Sequence, residues 1–230
     1  MCHSLGSSIF FAVFGCLMAD GMWYRKHPSW VLFAFYSLME CTQALQHFVV
    51  DACGSPSNMF LSYCAFILVV TQPLLWNYYR WSKAATKKER AVFAAMMWLS
   101  FAWMILFSLR LLPRRSSLLK GILYNTLPKH EIMVAAETCT RLGPTHLYWT
   151  FPLLDFNGVE MNWGGYLLLW FIPSLFEKRG LAKFVFWLCQ ILFVNYVAQN
   201  IHEVPTIWCL LSLPILGAMP YLDAGEKMWV

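Results

Sequence analysis

Glu40, Gln43 and His47 are spaced at i, i+3 and i+7 in an otherwise apolar stretch. That spacing puts a carboxyl, an amide and an imidazole on one narrow face of a helix, with Gln46 beside them. Such a column can relay protons, ligate a metal or hold a polar ligand. A charged carboxylate at mid-depth in a bilayer costs about 3 kcal/mol on insertion scales, so Glu40 must be protonated, paired or facing water. The plainer alternative is interhelical glue, because amides and imidazoles commonly hydrogen-bond neighbouring helices. A second set repeats the pattern, with Asn195, Gln199 and His202 at i, i+4 and i+7 and Glu203 next to them. The run from Asn200 to Pro205 reads equally well as a helix-to-helix corner, since proline is tolerated in a first turn.

These groups need a scaffold, and composition names its class. Hydrophobic residues make up 59% of the 230 and charged residues 13%, more apolar than a soluble core of this size needs. A hydrocarbon layer of ~30 Å takes ~20 apolar residues per helix. Seven stretches qualify, near 6–24, 29–50, 59–79, 91–112, 160–177, 181–200 and 205–221. Alternating ten-residue segments of the outer-membrane barrel type are absent, so helices must satisfy the backbone. The expected class is all-α, a polytopic membrane protein of seven transmembrane helices forming a single domain over 1–230. The N-terminus lacks the basic region and cleavage site of a secretory signal, so the first stretch is expected to be a retained span.

Basic loops stay on the cytoplasmic side. Arg25 and Lys26 follow the first span, Arg80, Lys83, Lys87, Lys88 and Arg90 the third, and Lys178, Arg179 and Lys183 the fifth, whereas 51–58 and 201–204 have no Lys or Arg. The expected orientation is therefore N-terminus outside and C-terminus cytoplasmic. In an organelle, outside would mean the lumen or intermembrane space. The connection 113–159 argues the other way, since it falls outside and carries Arg114, Arg115, Lys120, Lys129 and Arg141. Within it, Ser116 to Leu127 is amphipathic and suits an interfacial position, Glu131 to Cys139 reads as a helical turn or two, and Leu147 to Phe156 is aromatic. A lid or re-entrant element is the expectation.

The net charge of +5 is mostly topological, and no basic run is long enough to imply nucleic acid. Cys16, Cys41, Cys64, Cys189 and Cys209 fall in spans as small core hydrophobes. Cys2, Cys53 and Cys139 map to the outer side, where two of the three could form a disulfide. No cysteine pair has zinc spacing. A metal site assembled from distant residues would draw on His47, His146 and His202, with His3 and Glu203 on the same outer face. Phosphate loops, zinc-protease helices and nucleophile elbows are absent, and 205–221 has no lysine to hold retinal covalently.

Met1-Cys2-His3-Ser4, Tyr36 to Gln43 with its Leu-Met-Glu-x-x-Gln core, Asp51-Ala52-Cys53-Gly54 and Gln72-Pro73 together form a pattern. Cys139-Thr140, then His146-Leu147-Tyr148-Trp149, and Asn200 to Leu210 complete it. The chain resembles an uncharacterised family of polytopic membrane proteins, a domain of unknown function, over nearly its whole length. The resemblance implies that Cys2, Glu40, Gln43, Cys53, Cys139, His146, Asn200 and Glu203 act as one set, with His146 and Trp149 in the outer loop. This chain departs from the family at Leu68, where relatives often carry a histidine. A metal or haem ligand there would be lost, or moved to His47 or His202.

Three functions compete on these residues. The first is a polar intramembrane cavity on the outer face, built from Glu40, Gln43, His47, Asn195, Gln199, His202 and Glu203, that binds or transports a small solute, ion or proton, with 113–159 as its gate. The second is an intramembrane enzyme on a lipid or isoprenoid, with Glu40 and a histidine as acid and base. The third is an accessory subunit of a larger membrane complex carrying pigments or haems. The partners are the bilayer and a small molecule or ion. Cofactor, compartment and oligomeric state, including a homo-oligomer, are left open.

Overall fold

The computed structural model describes residues 5–111, 127, 131–155 and 162–222. Among them are seven α-helices: α1 (Leu5–Tyr24), α2 (Trp30–Gln46), α3 (Pro56–Lys83), α4 (Lys87–Leu109), α5 (Trp163–Phe171), α6 (Gly180–Val197) and α7 (Val204–Leu222). Four of them, α1, α3, α4 and α6, are long and apolar enough to cross a membrane. Cys2 and the interfacial stretch expected over 116–127, Leu127 apart, lie outside the described residues.

Local chemistry sets the helix ends. Ser55 caps α3 by accepting the Asn58 N–H, and Pro56 takes the first helical position, where no N–H is needed. Thr86 and Glu89 form a reciprocal capping box at the start of α4. That Glu89 carboxyl is held below the ordinary range chiefly by the backbone N–H of Thr86. The helix α2 stops at Gln46, short of the expected span, because the chain reverses through Asp51 and Gly54, both at positive φ. The span expected at 160–177 is also shorter. Pro173 ends α5, and a 3₁₀ turn (Ile172–Phe176) follows.

The helices α1 and α2 pack closely because Gly15 leaves no side chain between them; a Cβ there would lie 2.9 Å from Ser37 Cβ. Ser37 Oγ donates to Ala12 O across the same gap at 2.5 Å. The helix α2 also packs on α3 and α7, α5 on α3 and α4, and α6 on α7 and the 3₁₀ turn. Four tryptophans, Trp76, Trp170, Trp187 and Trp208, fill the centre, with ring centroids 4.9 Å apart for Trp76–Trp187 and 5.1 Å for Trp170–Trp208.

One segment corrects the all-helical expectation. Glu131 to Cys139 is turns rather than helix, and it leads into an antiparallel hairpin of β1 (Cys139–Leu142) and β2 (Leu147–Thr150). Cys139 pairs with Thr150 and Leu142 with Leu147 across a Gly143-Pro144 turn. Met133, Trp149, Phe151 and Leu153 are fully buried, so this segment is sunk into the end of the bundle. Phe151 sits 5.0 Å from Phe66, ten residues and thus ~15 Å along α3 from its first turn.

Candidate functional site

Inside the bundle, Glu40 and Gln43 are both 0% exposed, and none of their side-chain oxygens or nitrogens has a hydrogen-bond partner among the described residues. Ser8 of α1, whose hydroxyl is likewise without a bond of normal geometry, is close enough to donate toward Glu40, and Cys209 of α7 is close enough to feel its charge. A chain of polar groups continues from there. Gln72 Nε2 donates to Cys209 Sγ at 3.1 Å, and Tyr166 O–H donates to Gln72 Oε1 at 2.6 Å. Gln72 stands eight residues, ~12 Å, along α3 from Arg80. The layer is therefore deep in the bundle. A buried carboxyl without a partner is costly to hold as an anion.

The end that carries the hairpin is closed by a dense set of contacts. Glu203 Oε1 accepts the N–H of Thr145 at 2.8 Å and of His146 at 2.9 Å, and Oε2 accepts the Asn200 N–H at 3.2 Å and the Thr145 hydroxyl. Burial pushes this carboxyl up, but those donors outweigh it and hold it below the ordinary carboxylate range. Gly143 is required beside it, because a Cβ there would run into Glu203 Oε1. His202 Nδ1 accepts the Met133 N–H at 3.0 Å, and burial holds its imidazole below its ordinary value. Trp149 Nε1 donates to Gln46 Oε1 at 3.0 Å. Asn58 binds Thr140 in both directions, donating to its oxygen at 3.0 Å and accepting its N–H at 2.9 Å. The Cys53–Cys139 disulfide joins the same two segments. Arg110, at the end of α4, grips Glu131 with two hydrogen bonds of 2.7 and 2.6 Å and Leu154 O with a third at 2.7 Å.

The opposite, basic end is closed by ions. Glu177 accepts Arg80 Nε at 2.7 Å and Lys183 Nζ at 2.6 Å. Asn77 accepts Arg80 Nη1 at 3.2 Å and donates to Leu169 O at 2.9 Å, the carbonyl that Pro173 deprives of its helical partner.

The sequence-derived candidates thus separate. Glu40 and Gln43 share the interior layer, and His47 is half-buried at the end of α2. Asn195 lies on the exposed face of α6, where it donates to its own helix at Ile191 O, 2.8 Å away, and Gln199 is exposed just beyond the end of α6. The polar stripes of α2 and α6 do not meet. Glu203, His202, His146 and Trp149 belong to the hairpin closure. Among the described residues no three His, Cys, Asp or Glu side chains gather as a metal site, so His47, His146 and His202 are not brought together. Sequence reasoning passed over Gln72, Tyr166 and Cys209 as members of the interior layer. Gln72 was legible only as half of the Gln72-Pro73 pair and Cys209 only as a core thiol.

A family described only as being of unknown function matches residues 6–223, taking in every helix and both closed ends. The chain belongs to this family, DUF5765. No curated protein and no solved structure matches it. Membership of DUF5765 brings no activity with it.

Proposed function

We propose that this member of DUF5765 is a multi-pass membrane protein with seven transmembrane helices, N-terminus outside and C-terminus cytoplasmic. In this reading it binds or moves a proton or a small cationic or hydrogen-bonding solute at Glu40. The observation that carries it is a fully buried carboxyl and amide, Glu40 and Gln43, with no partners among the described residues, set between two closed ends. Two features support the orientation. The Arg80–Glu177–Lys183 cluster and the basic loops occupy one end, as cytoplasmic residues do, and the disulfide occupies the other, as an oxidising compartment favours. The hairpin and the ion cluster act as the outer and inner gates of an occluded site.

The test is flux in proteoliposomes. Wild-type protein is expected to carry protons or a monovalent cation down an imposed gradient, and Glu40→Gln to lose at least nine-tenths of that rate while unfolding at an unchanged temperature. The infrared band of a protonated buried acid should vanish with the same substitution. Equal flux in both proteins, or none in either, would leave Glu40 a packing residue and the chain a scaffold.

A further inference from the structure

The buried oxygens and nitrogens of α2 and its C-cap that lack a partner fall in one column. Ser37 and Thr42 donate to Ala12 O and Leu38 O, and Gln46 is bonded to Leu61 O and to the Trp149 indole. Glu40, Gln43 and Nε2 of His47, by contrast, have no hydrogen-bond partner among the described residues. Helical geometry runs through to His47, whose N–H bonds Gln43 O at 3.2 Å, so the three side chains stack at axial steps of ~4.5 and ~6 Å. Side chains lean toward the N-terminus of their helix, which brings the His47 ring over the turn of Gln43 and the Gln43 amide over that of Glu40. His47 is half-buried, so part of its ring is open to solvent while Nε2 is shielded.

The column continues in one direction only. Toward the basic end, the next positions on the same face are Tyr36, whose hydroxyl accepts the Trp76 N–H at 2.9 Å, and Phe33, 1% exposed. The helix α1 sets Ser8 beside Glu40 and then has only Ala12, Gly15 and Ala19 on its buried face. Bonded and apolar groups thus seal the inward side. The donor set also narrows the cargo. A hard cation stripped of water needs several oxygen ligands, whereas no three His, Cys, Asp or Glu side chains gather among the described residues. A proton needs one carboxyl and a chain leading to it. We propose that the species handled at Glu40 is the proton, and that it travels between Glu40 and the outer face through Gln43 and His47. This deepens the Glu40 reading and rests on it. A proton from solvent binds one ring nitrogen of His47 as Nε2 gives one up inward. Water held by the Gln43 amide, donor and acceptor at once, passes it to a carboxylate oxygen of Glu40, and discharge reverses each transfer.

The experiment is a pH jump on protein in nanodiscs, followed by time-resolved infrared spectroscopy at the protonated-acid band of Glu40. His47→Ala should slow the change in that band about a hundredfold, the lower range for a positioned acid–base group. Imidazole added to the buffer should restore most of the lost rate, since it replaces a missing transfer group and not a missing packing contact. Gln43→Leu interrupts the column below the histidine and should slow the band without responding to imidazole. A rate untouched by His47→Ala or by Gln43→Leu would overturn the proposal and leave Glu40 a protonatable site reached another way, as would a slowed His47→Ala protein indifferent to imidazole. A wild-type band that Glu40→Gln does not remove would overturn the Glu40 reading itself, and this route with it.

Discussion

Replacing Glu203 tests the closure of the hairpin end. Its carboxylate accepts three backbone N–H groups and one hydroxyl, all aimed at a side chain that is 0% exposed. Alanine leaves those three amides unsatisfied at about 1–3 kcal/mol each, so Glu203→Ala should cost about 3–6 kcal/mol after partial relaxation. Glutamine keeps one acceptor oxygen for Thr145 and His146 but sets its NH₂ against the Asn200 N–H, a donor facing a donor; about half the loss is expected. Hydrogen exchange at Thr145, His146 and Asn200 is the direct assay, and about 3 kcal/mol of local opening corresponds to more than a hundredfold faster exchange. The carboxyl is depressed in the fold, so its contribution is present above the unfolded carboxylate pKa and is lost as pH falls through the lower folded value. That acid-dependent loosening should be absent in Glu203→Gln. If exchange at the three amides in Glu203→Ala matches that of the exposed control Asn195→Ala, the clamp reasoning is wrong.

Further outcomes follow from the same contacts. The imidazole of His202 is also depressed, and its Nδ1 must be unprotonated to accept the Met133 N–H, so exchange of that amide should quicken as pH falls below the ordinary imidazole range; a flat profile between neutral and mildly acidic pH would refute this. Non-reducing digestion should yield a Cys53–Cys139 peptide and none linking Cys2, and on chain-entropy grounds breaking that 86-residue loop should cost about 4–5 kcal/mol. Gly15→Val should overpack the α1–α2 contact and lower stability by about 1–3 kcal/mol in a detergent melt, while Gly21→Val, where a Cβ meets nothing, serves as the control.

Helix positions were legible because long apolar runs bounded by Pro56, the Thr86–Glu89 box and basic residues leave few alternatives. That Glu40 and Gln43 share one helix face was legible in their i, i+3 spacing, while their complete burial came only with the structure. The hairpin was not legible. Strands of four residues give too short an alternation to register, and Asn58 and Glu203, which hold β1 and its turn, come from elsewhere in the chain. The stripe of Asn195 and Gln199 misled for a different reason. Spacing shows that polar groups share a face, but not whether that face turns inward, and α6 has its buried face on Lys183, Trp187, Gln190 and Val194 instead.

The pairing of distant segments at the hairpin end dictates an order of assembly. Cys139 can oxidise onto Cys53 once β1 has emerged, yet Thr145 and His146 find their acceptor only after Glu203 has been synthesised and α7 has begun to enter the bundle. Early bonding would tether the growing chain while its last helices are still arriving, and the turn would lock only at the finish. A chain truncated before α7 should therefore retain its crosslink and lack a seated turn, which makes Glu203 the residue by which the fold registers its own completion.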